Sequence, residues 1–163
     1  MRPAATSADP LAERLSPHFT LGEMVVSQAA VRLGIDNQPA PIHVVNLRRV
    51  ASALEWARAL LGDAPITVTS GYRCVALNRA IGSADNSAHV RGLAVDFVAP
   101  GFGRPTEICR RLVSEGLAFD QLIDEQGWVH LGLAEDGAAA RQQVLTAVFK
   151  PGAPTVYRKG LVS

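Results

Sequence analysis

Apolar residues recur at helical spacing in four segments of the chain. Each of these segments is followed by a glycine, which commonly ends a helix because it adopts the left-handed backbone conformation without strain. The first segment also carries Thr20 and Glu23 at the spacing of a capping box, a pair that satisfies free backbone N–H groups where a helix begins. We predict helices over these ranges: 21–33, 42–61, 75–81 and 105–115.

Between the helices, the apolar pattern shortens to runs of alternating residues, which are typical of β-strands. Such runs cover 65–70 and 93–99, and two more form a hairpin-like pair within 119–133. Residues 141–149 fit either a helix or a last strand. Because the elements lack the regular strand–helix–strand order of a parallel sheet, the predicted fold class is α+β.

The length and composition of the chain predict a single main domain. It has 163 residues, of which 48% are hydrophobic, enough to bury one proper core. The first residues are rich in Ala, Pro and Ser, and the last ones contain Pro and Gly. We therefore predict a loose N-terminal arm over 1–17, a folded domain over 18–149 and a C-terminal tail over 150–163.

Charge and hydropathy exclude several classes of partner. Sixteen basic residues balance fifteen acidic ones, which argues against binding nucleic acid or a membrane surface through bulk charge. No apolar run approaches the length of a membrane-spanning helix. The first residues lack the apolar core of a signal peptide, so we expect synthesis in the cytoplasm without export. We also expect a monomer.

Two polar residues interrupt apolar strand patterns. Asp96 lies within the run LAVDFVA, and His130 lies within GWVHLGL. Burying a charged carboxylate is costly unless a salt bridge or a metal ion compensates for the lost hydration. His89 precedes Asp96 by seven residues, and Gly92 between them allows the chain to bend back. Two histidines and a carboxylate are the usual ligands of catalytic zinc, although the set also suits other divalent metals, and each residue alone could be an ordinary core residue.

Three sequence motifs of this chain resemble those of a known protein family. They are S-G-Y-R at 70–73, S-x-H-x-x-G-x-A-x-D at 87–96 and W-V-H at 128–130. Together they resemble the zinc D-alanyl-D-alanine carboxypeptidases and endolysin-type peptidases, the M15 peptidases, and in particular the branch common in bacteriophages and prophages. The resemblance covers roughly 18–148. It implies a small antiparallel sheet packed against helices, a fold shared with the signalling domain of Hedgehog proteins.

The resemblance also implies roles for individual residues. His89, Asp96 and His130 would be the zinc ligands. Arg73 would lie beside the metal and bind the carbonyl or carboxylate of the substrate. Ser87 would support the loop that carries the first ligand and would belong to the substrate-binding residues.

The catalytic base departs from the common family pattern. Many members place an acid three residues before the last histidine, where this chain has Gly127. In the phage-type branch a glutamate further upstream serves instead, which points to Glu125, with Asp124 as the alternative. Because successive side chains of a strand point to opposite faces, only one of the two can face the metal.

The function implied by the resemblance is cleavage of the peptide stem of bacterial peptidoglycan, as a carboxypeptidase or an endopeptidase. A phage or prophage lysis enzyme, or endolysin, would wait in the cytoplasm until a membrane pore releases it, and a virion-associated enzyme would be carried in the particle. Two other hypotheses stay open: a non-catalytic zinc-binding module and a structural virion protein of the same fold.

Overall fold

The structure is a computed structural model that describes residues 9–162. It contains five α-helices and six β-strands in that part of the chain, which confirms the α+β class. The helices are α1 Leu21–Val25, α2 Gln28–Leu33, α3 Pro41–Leu60, α4 Val75–Ala80 and α5 Pro105–Ser114. The strands are β1 Thr67–Ser70, β2 Ala94–Val98, β3 Gln121–Asp124, β4 Val129–Gly132, β5 Gln143–Val148 and β6 Val156–Lys159.

All six strands form one sheet in the order β1-β2-β4-β3-β5-β6. Neighbouring strands are antiparallel except for β3 and β5, which run parallel. The segment 141–149, which fitted either a helix or a strand, supplies β5 and joins the sheet through that parallel pair. The predicted sheet packed against helices is therefore confirmed, and it is mostly antiparallel.

The two faces of the sheet differ in what covers them. The helix face packs against α3 and α5, and its buried side chains come from every second strand position; they include Val95, Phe97, Leu122, Val129 and Leu131. The opposite face, called the open face below, carries a smaller cluster of Ile123, Leu145 and Ala147. Because the side-chain period of a strand is two, the register decides which residues are buried under helices and which line the open face.

The prediction of one helix over residues 21–33 is wrong in one respect. The structure has two shorter helices in this range, α1 and α2. The capping box of Thr20 and Glu23 opens α1 as predicted. The chain then leaves the helical conformation at Val26, and Ser27 is extended and accepts a hydrogen bond from the backbone N–H of Ala30. Serine favours such a cap over a helix interior, since its hydroxyl competes for backbone groups.

Both chain ends include residues with a defined structure. Residues 1–8 of the predicted arm lie outside the described residues, whereas Leu15 is buried in the main core. Residues Val156–Lys159 of the predicted tail pair with β5 as β6. The limits of the predicted domain stay a prediction. Within residues 9–162, no helix is both long and apolar enough to cross a membrane.

Glu55 of α3 ties the N-terminal segment to the helix layer. Its carboxylate accepts hydrogen bonds from the Ser16 hydroxyl at 2.7 Å and the His18 backbone N–H at 2.8 Å, and lies 2.8 Å from His18 Nδ1. Burial opposes the ionisation of Glu55, but these bonds outweigh it and hold the pKa of Glu55 below its usual value. Such a group stabilises the fold above its unfolded-state pKa, and this contribution is lost as the pH falls through the lower folded-state pKa.

We predict that Glu55→Gln lowers the free energy of unfolding by about 1–2 kcal/mol at neutral pH, because two donors lose a charged acceptor. The difference from wild type should shrink as the pH falls below about 4. Urea unfolding at several pH values measures both effects. Glu115→Gln is the matched control, since its carboxylate lies 3.8 Å from Arg111 on the surface and should contribute less than about 0.5 kcal/mol. A loss that is the same at every pH would contradict the assignment.

Candidate metal centre

The register of the sheet places Asp96 and His130 side by side. Asp96 of β2 is directly opposite His130 of β4, and both side chains leave the sheet on the open face. The distance from His130 Nδ1 to Asp96 Oδ1 is 2.9 Å. The two residues that interrupted apolar strand patterns are thus the two residues that the open face brings into contact.

His89 reaches the same point from outside the sheet. It lies in a single 3-10 turn, Ala88–Arg91, which ends at Gly92 in the left-handed conformation with a φ of 69°. A β-carbon at Gly92 would also lie 2.8 Å from the carbonyl oxygen of His43, so glycine is needed at this bend. His89 Nε2 is 3.2 Å from His130 Nδ1 and 3.3 Å from Asp96 Oδ1.

A backbone carbonyl orients the His89 ring. His89 Nδ1 is 2.6 Å from the carbonyl oxygen of Gly71, so Nδ1 carries the hydrogen and donates it. The neutral ring then presents its lone pair at Nε2, toward Asp96 and His130. Gly71 has no side chain because α1 comes very close, and a β-carbon there would overlap the carbonyl group of Met24.

The three donor atoms fit a zinc ion. Tetrahedral zinc with bonds of about 2.0–2.1 Å holds its ligand atoms about 3.3 Å apart. Here the three separations are 2.9, 3.2 and 3.3 Å. Two imidazoles and one carboxylate are also the donor set that leaves a fourth position for water and substrate in catalytic zinc sites. Zinc is therefore the cofactor that these residues fit.

The electrostatics of the cluster favour the protonation states that bind metal. Burial lowers the pKa of His89, so its ring is neutral. Burial of Asp96 opposes its ionisation, but its electrostatic and hydrogen-bonding interactions with His89 and His130 outweigh that effect and hold the pKa of Asp96 well below its usual range. A neutral imidazole and an ionised carboxylate are the forms that coordinate a cation without first losing a proton.

Arg73 contacts the second oxygen of Asp96. Its Nη2 donates to Asp96 Oδ2 at 3.0 Å, its Nε donates to the Ser70 hydroxyl at 3.1 Å, and its Nη1 lies 3.4 Å from the Ser83 hydroxyl. These bonds use three of the five guanidinium N–H groups, and the other two have no partner among residues 9–162. The structure thus places Arg73 beside the donor cluster, as the resemblance implied, and adds a contact that orients a metal ligand.

The two candidate bases lie on opposite faces of the sheet. Asp124 lies on the helix face, where it accepts hydrogen bonds from the Thr106 hydroxyl of α5 and from the backbone N–H of Gln126. Glu125, one residue later, lines the cleft over the open face. Burial raises the pKa of Glu125, with opposing effects from His130 and Asp96. A raised pKa brings a carboxylate toward the range in which it is an efficient general base.

All the predicted site residues line one cleft of about 890 Å³. They are Arg73, Ser87, His89, Asp96, Glu125 and His130. Ser87 contributes through its backbone, since its carbonyl accepts the N–H of Val90 at the start of the ligand turn, and its side chain makes no capping bond. A β-carbon at Gly127 would point into open space, with no heavy atom of the described residues within 4 Å.

Sequence reasoning missed the partners that hold these groups in place. Ser70 and Ser83 contact Arg73, and the Gly71 carbonyl orients His89. Tyr157 of β6 also lines the cleft, with its hydroxyl 3.4 Å from Glu125 Oε1. The position of Ser70 in the S-G-Y-R motif was a usable signal. No local pattern connects Tyr157 to Glu125, because their contact depends on how β5 and β6 pair.

Comparison with known proteins adds two findings. The sequence model of the peptidase M15 family matches residues 17–132. A segment of 50 residues is 44% identical to the zinc D-Ala-D-Ala carboxypeptidase of Streptomyces albus G. That segment covers 31% of this chain and 20% of the relative, so the similarity extends over about a fifth of the relative's length.

We predict that the purified protein binds one zinc ion and that His89→Ala and His130→Ala each abolish stoichiometric binding, because two remaining donors hold zinc poorly. His18→Ala removes an imidazole that contacts Glu55 rather than the cluster, and it should keep the metal. Mass spectrometry of the metal content after dialysis measures the stoichiometry. Thermal unfolding with and without a chelator provides a second readout, since a ligand that binds only the folded state raises Tm. Full zinc occupancy in His89→Ala would refute the ligand set.

Proposed function

The chain belongs to the peptidase M15 family, whose model matches residues 17–132, and we propose that it is a zinc-dependent peptidase that cleaves the peptide stem of bacterial peptidoglycan. The match confirms the family that the motifs indicated. One observation carries the proposal: the donor atoms of His89, Asp96 and His130 meet in a cleft that also holds a buried glutamate, Glu125.

Each functional group in the cleft has a separate role in the proposed hydrolysis. When bound, zinc supplies Lewis-acid activation of water and of a peptide carbonyl. Glu125 accepts the proton of the attacking water and later gives it to the leaving amine. Its raised pKa suits both steps, since the group must release the proton that it has taken.

Arg73 contributes in two ways. Its bond to Asp96 Oδ2 fixes the carboxylate so that Oδ1 faces the two imidazoles. Its two free N–H groups are available for the oxygen that becomes negatively charged as water attacks, or for a substrate carboxylate. Donors that are already oriented toward a developing charge contribute a few kcal/mol each to catalysis.

The substrate assignment is supported by the family and by the matched segment of the relative. The Streptomyces albus G protein is a zinc D-Ala-D-Ala carboxypeptidase, which makes the terminal D-Ala–D-Ala bond of a stem peptide the first candidate for this chain. Other stem and cross-bridge bonds are candidates too, because the three metal ligands do not select the residues on either side of the bond.

We predict that Glu125→Gln lowers kcat by about 10²–10⁴-fold and leaves zinc binding unchanged, because an amide cannot accept the proton of water. Asp124→Asn is the matched control, since the adjacent side chain lies on the helix face against Thr106. It should lower Tm and leave kcat near the wild-type value. The assay is digestion of purified peptidoglycan by the zinc-loaded protein, with the fragments identified by mass spectrometry.

The possible results separate the hypotheses. Loss of activity in Asp124→Asn, with full activity in Glu125→Gln, would reverse the assignment of the base. A wild-type protein that holds zinc and cuts no peptidoglycan would support the non-catalytic binding module, which the glycine at position 127 favours among the alternatives.

We further propose a role in lysis by a phage or prophage, supported by the resemblance of the motifs to that branch. On this proposal, the protein produced in a bacterial host should lyse the cells only when a pore-forming membrane protein is produced with it. Glu125→Gln is the control for hydrolysis in the same cells. Lysis without the pore, or no lysis with it, would contradict the role while leaving the peptidase activity to be judged by the digestion assay.

A further inference from the structure

Strand β6 lies beyond the matched residues 17–132, yet it delivers a side chain to the cleft. Tyr157 of β6 is directly opposite Ala147 of β5, and Ala147 lies on the open face with Ile123. Glu125 follows Ile123 by two residues and therefore leaves the sheet on the same side. A hydrogen bond of 2.9 Å from the Gln126 side chain to the Ala147 carbonyl fixes the end of β3 against β5 at this level.

The Tyr157 hydroxyl contacts the glutamate directly. It lies 3.4 Å from Glu125 Oε1, and it is the one donor to this carboxylate among the described residues 9–162. Burial, and then the neighbouring carboxylate, raise the pKa of the Tyr157 phenol, so the hydroxyl keeps its proton at neutral pH and donates it. The bond occupies Oε1 and leaves Oε2 for a second partner.

We propose that Tyr157 is a positioning residue that holds the Glu125 carboxylate toward the metal donors. This inference rests on the proposed role of Glu125 as the general base. A glutamate side chain has three rotatable bonds, and a carboxylate that moves freely over the cleft would spend little time in the geometry for proton transfer. A phenol held on β6, which is separated from β3 by β5 in the sheet, restricts that motion and leaves Oε2 free to receive the proton.

The kinetic test removes the hydroxyl alone. We expect Tyr157→Phe to lower kcat by about 10-fold, the usual scale for one hydrogen bond to a charged group, with KM and zinc content unchanged. In a Glu125→Gln background the same substitution should cause no further loss, because Tyr157 acts through Glu125. An unchanged kcat in Tyr157→Phe, or an equal loss in both backgrounds, would overturn the proposal.

A control separates positioning from simple support of the C-terminal strand. Thr146 of β5 lies on the helix face, where its hydroxyl donates to the Gly160 carbonyl at 2.8 Å and accepts from the Val162 N–H at 3.1 Å. Thr146→Val should therefore loosen the same terminal segment and lower Tm without reducing kcat. If Thr146→Val reduces kcat as much as Tyr157→Phe does, the role of Tyr157 is structural.

A second readout does not require hydrolysis. The chain has two tyrosines, Tyr72 and Tyr157, so carbon-13 labelling of the tyrosine Cζ gives two resonances that can be followed by NMR. In the zinc-free protein, Glu125→Gln should lower the pH at which the Tyr157 resonance titrates and leave that of Tyr72 in place. Two unmoved resonances would overturn the contact. If the wild type cuts nothing, the proposed function fails, while this titration still decides whether the two side chains interact.

Discussion

The site depends on one interaction, the burial of the ionised Asp96 carboxylate. Only 6% of this residue is exposed, and an isolated charge at such a position would be strongly destabilising. Both of its oxygens have a polar partner: Arg73 donates to Oδ2, and His130 Nδ1 lies 2.9 Å from Oδ1. Because Arg73 lies in the loop after β1, Asp96 on β2 and His130 on β4, the requirement to satisfy this carboxylate constrains all three elements at the same time.

The register of the sheet then places the core residues on one face and the residues of the candidate metal site on the other. Alternate residues of β2, β3 and β4 pack under α3 and α5, and the residues between them face the cleft. A shift of one residue in the β2–β4 pairing would exchange Asp96 for an apolar neighbour and place the carboxylate under the helices. The apolar helix face therefore fixes the face on which the metal-ligating side chains lie, since a slip by one residue would expose the apolar side chains to water.

The sequence predicted the features that depend on neighbours along the chain. Helix limits followed from the glycines and the capping box, and Asp96 and His130 stood out because each interrupts an apolar run. The break at Ser27 was missed because apolar spacing continues through it, and the spacing of buried residues does not show where a hydroxyl captures a backbone N–H. The order of the strands, the parallel β3–β5 pair and the contact of Tyr157 with Glu125 are products of long-range pairing, which no local pattern encodes.

The geometry of the β3–β4 hairpin explains how an acid five residues before His130 can serve a site in which position 127 is glycine. Ile123 pairs with His130 across the hairpin, so both lie on the open face. Glu125 is two residues beyond Ile123 toward the turn. Its side chain therefore lies on the same face of the sheet as Ile123 and the metal ligand His130. Position 127 lies within the turn that follows a left-handed Gln126, where a side chain would extend into open space. In this hairpin the residue at 125, and not the residue at 127, lines the same cleft as the three metal-ligating side chains.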